Sequence, residues 1–196
     1  MLGNYYLAVH STETMGKAIK IVLGSFLAVL FIFAVITPFV ETKRKVVRSV
    51  DINVPSEKVF EQINVPRNWL NWTSADSRCP DTKFYYSGNV EGRDAKLSAE
   101  SKTCGNVSYQ ITKSTVNEIV AFDINIENSG MLGKGSITID PAPSGGVRVD
   151  FINIWDLGDV PFYKRLFAVM MFDSMVGGDL EHKAQGLKAF CESASH

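Results

Sequence analysis

Three hydrophobic patterns follow one another along this chain. Residues 21–40, IVLGSFLAVLFIFAVITPFV, form a run of twenty without a charge. A helix of that length rises about 30 Å, the thickness of a bilayer's hydrocarbon core, so the run predicts one membrane-spanning helix. The pattern then alternates. Val46, Arg48, Val50, Ile52 and Val54 share one parity, and Val47, Ser49, Asp51 and Asn53 share the other, which predicts a half-exposed strand. Pro55-Ser56-Glu57 reads as a helix start with Ser56 as its cap, and Val59, Phe60 and Ile63 follow at helical spacing until Pro66. Further strands are predicted over 82–90, 95–101, 107–112, 116–126, 136–139 and 147–155, with 130–135 as a turn-rich interruption. In the last stretch the period becomes helical. Phe162, Leu166, Val169 or Met170, Asp173 and Val176 fall on one face of a helix that Gly177-Gly178 is expected to interrupt. A second helical part then carries Leu180, Ala184, Leu187, Lys188 and Cys191. Strand, short helix, about six strands and a long helix make an α+β domain with an antiparallel sheet and helices on one face.

This divides the chain into an N-terminal segment, 1–20, a transmembrane helix, 21–40, and one domain, 41–196. Of the 196 residues, 156 lie beyond residue 40, enough for a single domain with its own core. Those 156 carry 18 Lys or Arg against 20 Asp or Glu, a net of −2. So balanced a surface argues against general nucleic-acid binding. His10, His182 and His196 are the only histidines, a poor supply for a histidine-rich metal centre or triad. Glu181-His182 is followed by Lys183, Ala184 and Gln185, which is not a zinc-binding HExxH. There is no P-loop, GxGxxG or nucleophile elbow, so no cofactor, metal or catalytic residue is assigned.

Cys79 and Cys104 enclose 26 residues, ends included, and can either bridge or remain two thiols. Cys191 has no evident partner and reads as a packed thiol of the last helix. The apolar run is longer than a signal peptide's and no A-x-A site ends it, so an uncleaved anchor is the expectation. Lys43, Arg44, Lys45 and Arg48 after the span outnumber Lys17 and Lys20 before it, which favours a cytoplasmic domain. A bridge between Cys79 and Cys104 favours an oxidising side instead.

VVRSVDINVPSEKVFEQI at 46–63, NWLNW at 68–72, FYYSG at 84–88, ITIDP at 137–141 and GGDLEHKAQGLKAF at 177–190 occur in a telling order. With them the chain resembles the helix-grip superfamily of polyketide cyclase/dehydrase and lipid-transfer proteins (SRPBCC, START-like or Bet v 1-like), in a membrane-anchored branch, over about residues 43–192. The resemblance implies a curved antiparallel sheet wrapped round a long C-terminal helix, with an apolar cavity between them. It implies lipid, sterol or aromatic-ligand binding in some branches and cyclisation in others. It also implies a single-pass protein of the bacterial inner membrane with its domain in the periplasm.

A cavity needs apolar side chains from facing elements. The candidates are Trp69, Trp72, Phe84, Tyr86, Phe151 and Trp155 from loops and strands, and Phe162, Leu166, Met170 and Phe172 from the helix. Asp173 interrupts the apolar helical face and is the candidate for an inward acid of raised pKa. The expected function is a membrane-anchored binding or transfer module for a lipid or other small hydrophobic ligand. Two alternatives stand beside it: an accessory or assembly subunit of an integral membrane protein complex, and a cyclase-like or hydrolytic enzyme. The expected partners are accordingly the lipid bilayer, a small hydrophobic ligand or such a complex.

Overall fold

The computed structural model describes residues 3–36, 39, 41–73, 79–129, 131–143 and 145–194, with backbone alone for 3–16, 18, 162, 163 and 166. The chain divides into two compact units, Met1–Val40 and Glu41–His196.

The first unit is helix α1, Gly3–Ile36. Its segment Ile19–Ile36, 18 residues with mean hydropathy 2.7, is the one helix among the described residues long and apolar enough to cross a membrane. Both a membrane anchor and a signal sequence meet that description. The helix ends four residues before the charge-free run does, and Pro38 lies outside the described residues.

The second unit is α+β. Strand β1 (Lys43–Ile52) leads into α2 (Ser56–Asn64), a 3-10 turn (Pro66–Trp69) and the short α3 (Leu70–Thr73). Strands β2 (Lys83–Ser87), β3 (Lys96–Glu100), β4 (Val107–Thr115), β5 (Ile119–Ile126), β6 (Leu132–Pro141) and β7 (Val147–Asp156) follow, and α4 (Phe162–Ser193) closes the chain. The strands form one sheet in the order β1-β7-β6-β5-β4-β3-β2, with every neighbouring pair antiparallel. Successive strands therefore pair by hairpins from β2 to β7. Only β1 is placed by a long-range pairing, in which Lys43 faces Asp156 and Ile52 faces Val147. α4 packs chiefly on β1 and on α3. Alternation sorts the strands into a core face and a solvent face. On β1 Val46, Val50 and Ile52 are buried, and on β7 Val147, Val149, Phe151, Asn153 and Trp155 are buried. Burying Val59 and Ile63 of α2 contributes about 1.5–3 kcal/mol each, which seats that helix across the open end of the core.

Several sequence expectations change here. The sheet is antiparallel with the long helix on one side, as expected, but it is not strongly curved. Ser56 does not cap α2: Pro55 is the N-cap, without a side-chain bond, and Ser56 is already helical. Residues 116–118 are the β4–β5 turn rather than strand, with Asn117 at φ 59°. Residues 132–135 belong to β6 rather than to a turn. Their glycines answer a shortage of space: a Cβ on Gly133 would stand 2.8 Å from the Trp155 ring, and one on Gly135 would overlap the Phe122 ring. The helix is likewise unbroken through Gly177-Gly178, because neither residue departs from helical φ. Gly177 marks where α4 passes over β1, since a Cβ there would meet the Arg48 guanidinium.

Candidate ligand cavity

Local sequence sets the two tryptophans of the α2–α3 segment. α2 ends at Asn64, leaving carbonyls without helical partners. Trp69 donates its indole N–H to the Ile63 carbonyl at 2.9 Å, and Trp72 donates to the Gln62 carbonyl at 3.4 Å. The same bonds turn both rings toward the sheet. Trp69 meets Phe122 at a centroid distance of 5.2 Å and Tyr109 at 5.7 Å, while Trp72 meets Phe151 at 6.0 Å. Tilted and edge-on contacts of this kind each contribute about 0.5–1.5 kcal/mol beyond their buried area.

These rings do not fill the space between sheet and helix. A cavity of about 510 Å³ remains. Its walls are Trp69 and Trp72 on one side, then Phe84 of β2, Leu97 and Ala99 of β3, Val107 and Tyr109 of β4, Phe122 and Ile124 of β5, Ile137 of β6, and Phe151, Asn153 and Trp155 of β7. Met175, Val176, Asp179, Leu180 and Lys183 of α4 complete it. In the register Gly135 lies between Phe122 and Asn153, and Gly133 between Ile124 and Trp155, and the room a side chain would take at these two core-face positions of β6 is occupied by the Phe122 and Trp155 rings.

Polar groups are few. Asp179 and Lys183, one helical turn apart, pair at 2.6 Å, and the Lys183 ammonium lies 6.0 Å from the Tyr109 ring centroid. Asn153 is a buried residue whose side-chain amide opens on the cavity and has no hydrogen-bond partner among the described residues. The indole N–H of Trp155 is also buried without a partner.

A disulfide and a hydrogen-bonded carboxylate stand together at the cavity wall. Cys79 and Cys104 are bridged, with Cα atoms 6.2 Å apart, and both line the cavity. Beside them the Ser101 hydroxyl donates to the Asp81 carboxylate at 2.8 Å, and the backbone N–H groups of Lys102 and Thr103 donate to it at 2.8 and 3.2 Å. The Ser101 bond, helped by backbone amides, holds the Asp81 carboxyl below its ordinary value against the opposing effect of burial, which outweighs any single one of those amides. A carboxyl with a lowered folded pKa adds stability above its unfolded pKa, near 3.9, and that stability is lost as pH falls through the folded value. Wild-type protein is therefore expected to lose more thermal stability than Asp81→Asn between about pH 5 and pH 3, with this difference absent near neutrality. Equal losses in a pair of melting series across that range would refute the role. Cys191, unbridged and buried, has its thiol pushed up to about 11 by desolvation and by neighbouring Glu192.

Five of the sequence-predicted residues, Trp69, Trp72, Phe84, Phe151 and Trp155, line the cavity. Tyr86 does not; it lies under the Arg67 guanidinium, 4.7 Å from its ring centroid. Phe172 is buried behind the wall, edge-on to Trp155 at 6.5 Å. Met170 and Asp173 are exposed and take no part in the lining. Residues adjacent in a helix point about 100° apart, so with Phe172 turned inward Asp173 turns out. The side chains of Phe162 and Leu166 lie outside the described residues. Sequence reasoning did not single out Asn153, Tyr109, Phe122 or Lys183. Asn153 had a signal: it shares the parity of Phe151 and Trp155. Ile154, the apolar residue between Asn153 and Trp155, is exposed on the other face. α4 is continuous past Gly177-Gly178, and there Asp179 pairs with Lys183 at the cavity.

An antiparallel sheet covered by one long C-terminal helix, with an apolar cavity between them, defines a helix-grip protein. The chain belongs to the polyketide cyclase/dehydrase and lipid transport family, whose sequence profile matches residues 43–192. No curated protein matches it. Among solved structures it is similar to a protein of unknown function from Staphylococcus aureus, with 12% identity and a TM-score of 0.59 over 78% of this chain and 96% of the other. It is also similar to the Zhui aromatase/cyclase from Streptomyces sp. R1128, with 10% identity and a TM-score of 0.58 over 79% and 96%. A third is the truncated norcoclaurine synthase from Thalictrum flavum, with 10% identity and a TM-score of 0.54 over 76% and 94%. At such identities the likeness is one of fold, and one fold hosts many activities.

Proposed function

We propose that the domain, residues 41–196, holds a lipid or another small hydrophobic molecule in this cavity, and that α1 anchors it in a membrane. The observation that carries the reading is the cavity itself, about 510 Å³ between sheet and helix with aromatic and aliphatic walls. That volume falls in the range of small-molecule sites, and a few fixed polar groups among apolar walls are what such sites use to orient a ligand. Membership of a family that includes lipid transport supports it. The segment Ile19–Ile36, 18 residues of mean hydropathy 2.7, supports the anchor. The Cys79–Cys104 bridge supports a domain on the oxidising, periplasmic side of a bacterial inner membrane. We favour a binding module over an enzyme, because the charged groups in the lining, Asp179 and Lys183, neutralise one another.

Full-length protein purified in mild detergent and extracted with organic solvent is expected to release one reproducible apolar species at near-stoichiometric amount by mass spectrometry. Ala99→Phe projects a ring into the cavity from β3 and is expected to reduce that yield at least about tenfold, a change of about 1.4 kcal/mol in binding. Extracts indistinguishable from those of a mock purification, or full retention by a folded Ala99→Phe, would overturn the proposal.

A further inference from the structure

The cavity wall contains a polar group that the protein leaves unsatisfied. Asn153 is only 7% exposed and lines the cavity, yet its amide has no hydrogen-bond partner among the described residues. The Trp155 indole N–H, two residues on in the same wall, is likewise without a partner among the described residues, whereas two other buried polar side chains are served within the fold. Asn64 accepts from the Ser114 hydroxyl at 2.6 Å, and Ser101 donates to Asp81. The amide opens on the cavity, so an apolar ligand that filled the space without pairing with it would bury it unsatisfied, at a cost, and a ligand that pairs with it is favoured. The register explains why the protein does not supply this. Asn153 stands between Gly135 on β6 and Val46 on β1, and neither has a polar side chain to offer.

We infer that Asn153 is the ligand-recognition residue of the cavity, which takes an uncharged hydrophobic molecule bearing a carbonyl or hydroxyl oxygen and holds that oxygen at the Asn153 amide. This deepens the function proposed above and rests on it. A carboxamide both donates and accepts, so a ketone, an ester or an alcohol satisfies it equally. A free carboxylate fits less well. The lining cation, Lys183, is already paired with Asp179 at 2.6 Å, and an uncompensated charge in an apolar site carries a heavy desolvation cost.

The three tryptophans of the chain, Trp69, Trp72 and Trp155, all line the cavity, so intrinsic fluorescence reports its occupancy. Full-length protein in detergent is titrated with 2-acetylnaphthalene and with 2-ethylnaphthalene, two molecules of near-equal shape that differ by a carbonyl. Affinities are corrected for partition of each into the micelle. The expected result is a preference for the ketone of about three- to tenfold, the range of one net hydrogen bond. Asn153→Leu is expected to erase the preference while still binding the hydrocarbon, which also shows that the variant is folded. Equal affinity of wild type for the two probes would overturn the inference and leave the cavity reading standing, whatever the variant does. A preference that survives in Asn153→Leu would overturn the assignment to this residue. Saturable binding of neither probe would bring down the cavity reading and this inference with it.

Discussion

Full-length protein with Cys79→Ala and Cys104→Ala together is expected to melt about 6–12 °C below wild type. The bridge closes a loop whose ends are 25 positions apart. In the chain-entropy account, a loop of that length restricts the unfolded state by about 3 kcal/mol, and a domain of this size shifts its Tm by about 2–4 °C per kcal/mol. Reductant should bring wild type to the melting temperature of the variant and leave the variant unmoved. Cys191 does not complicate the comparison, because its thiol is buried and its pKa is raised to about 11. A Tm within about 2 °C of wild type would mean that the unfolded chain is already compact across residues 79–104, or that the bridge does not form in the purified protein. Thiol counting under denaturing conditions separates those two cases.

The same substitution at two glycines of α4 is expected to act in opposite directions. A Cβ on Gly186 would overlap the carbonyl oxygen of Trp72, and that atom is backbone, fixed by the turn of α3. Gly186→Ala must push α4 off α3, at an overpacking cost of about 1–3 kcal/mol. Alanine's better helix propensity, about 0.5–1 kcal/mol, returns only part of this. At Gly178 a Cβ would meet nothing within 4 Å, so Gly178→Ala gains the propensity without the clash. Thermal or urea unfolding of the two variants beside wild type provides the check. A neutral Gly186→Ala would show that α4 and α3 are not in close contact in solution. A destabilised Gly178→Ala would mean that this exposed face of the helix is covered by something else.

Those glycines also show where sequence reading stops. In the sequence, a Gly-Gly pair in a helical pattern and two glycines near a turn read as breaks, since glycine is the common residue of breaks. Here Gly133 and Gly135 lie within β6, and Gly177 and Gly186 lie within α4, at points where another element comes close. Which element comes close is a tertiary fact. Local pattern served better where one periodicity prevailed. The alternation of 46–54 placed β1 and its buried face correctly, and the helical spacing of 180–191 found the buried Leu180, Ala184, Leu187 and Cys191. At the cavity the aromatic residues were legible because large rings in a small domain must be enclosed. Asn153 was missed because a polar residue in a strand reads as solvent-facing, while its neighbour Ile154, which is apolar, is the one on the solvent face.

By itself, the sequence determined the α+β class, the antiparallel sheet with a long last helix, the apolar N-terminal helix and a set of rings able to line a cavity. These follow from periodicity and from hydrophobicity summed over ten or more residues, which few tertiary contacts can override. Only the tertiary structure decided that the two breaks were continuous elements, that Asp173 faces out, that Asp179 pairs with Lys183, and that Asn153 is left facing a hollow beside a glycine. Each of these depends on what an element from a distant part of the chain brings within a few ångströms, and a linear pattern carries no such distance.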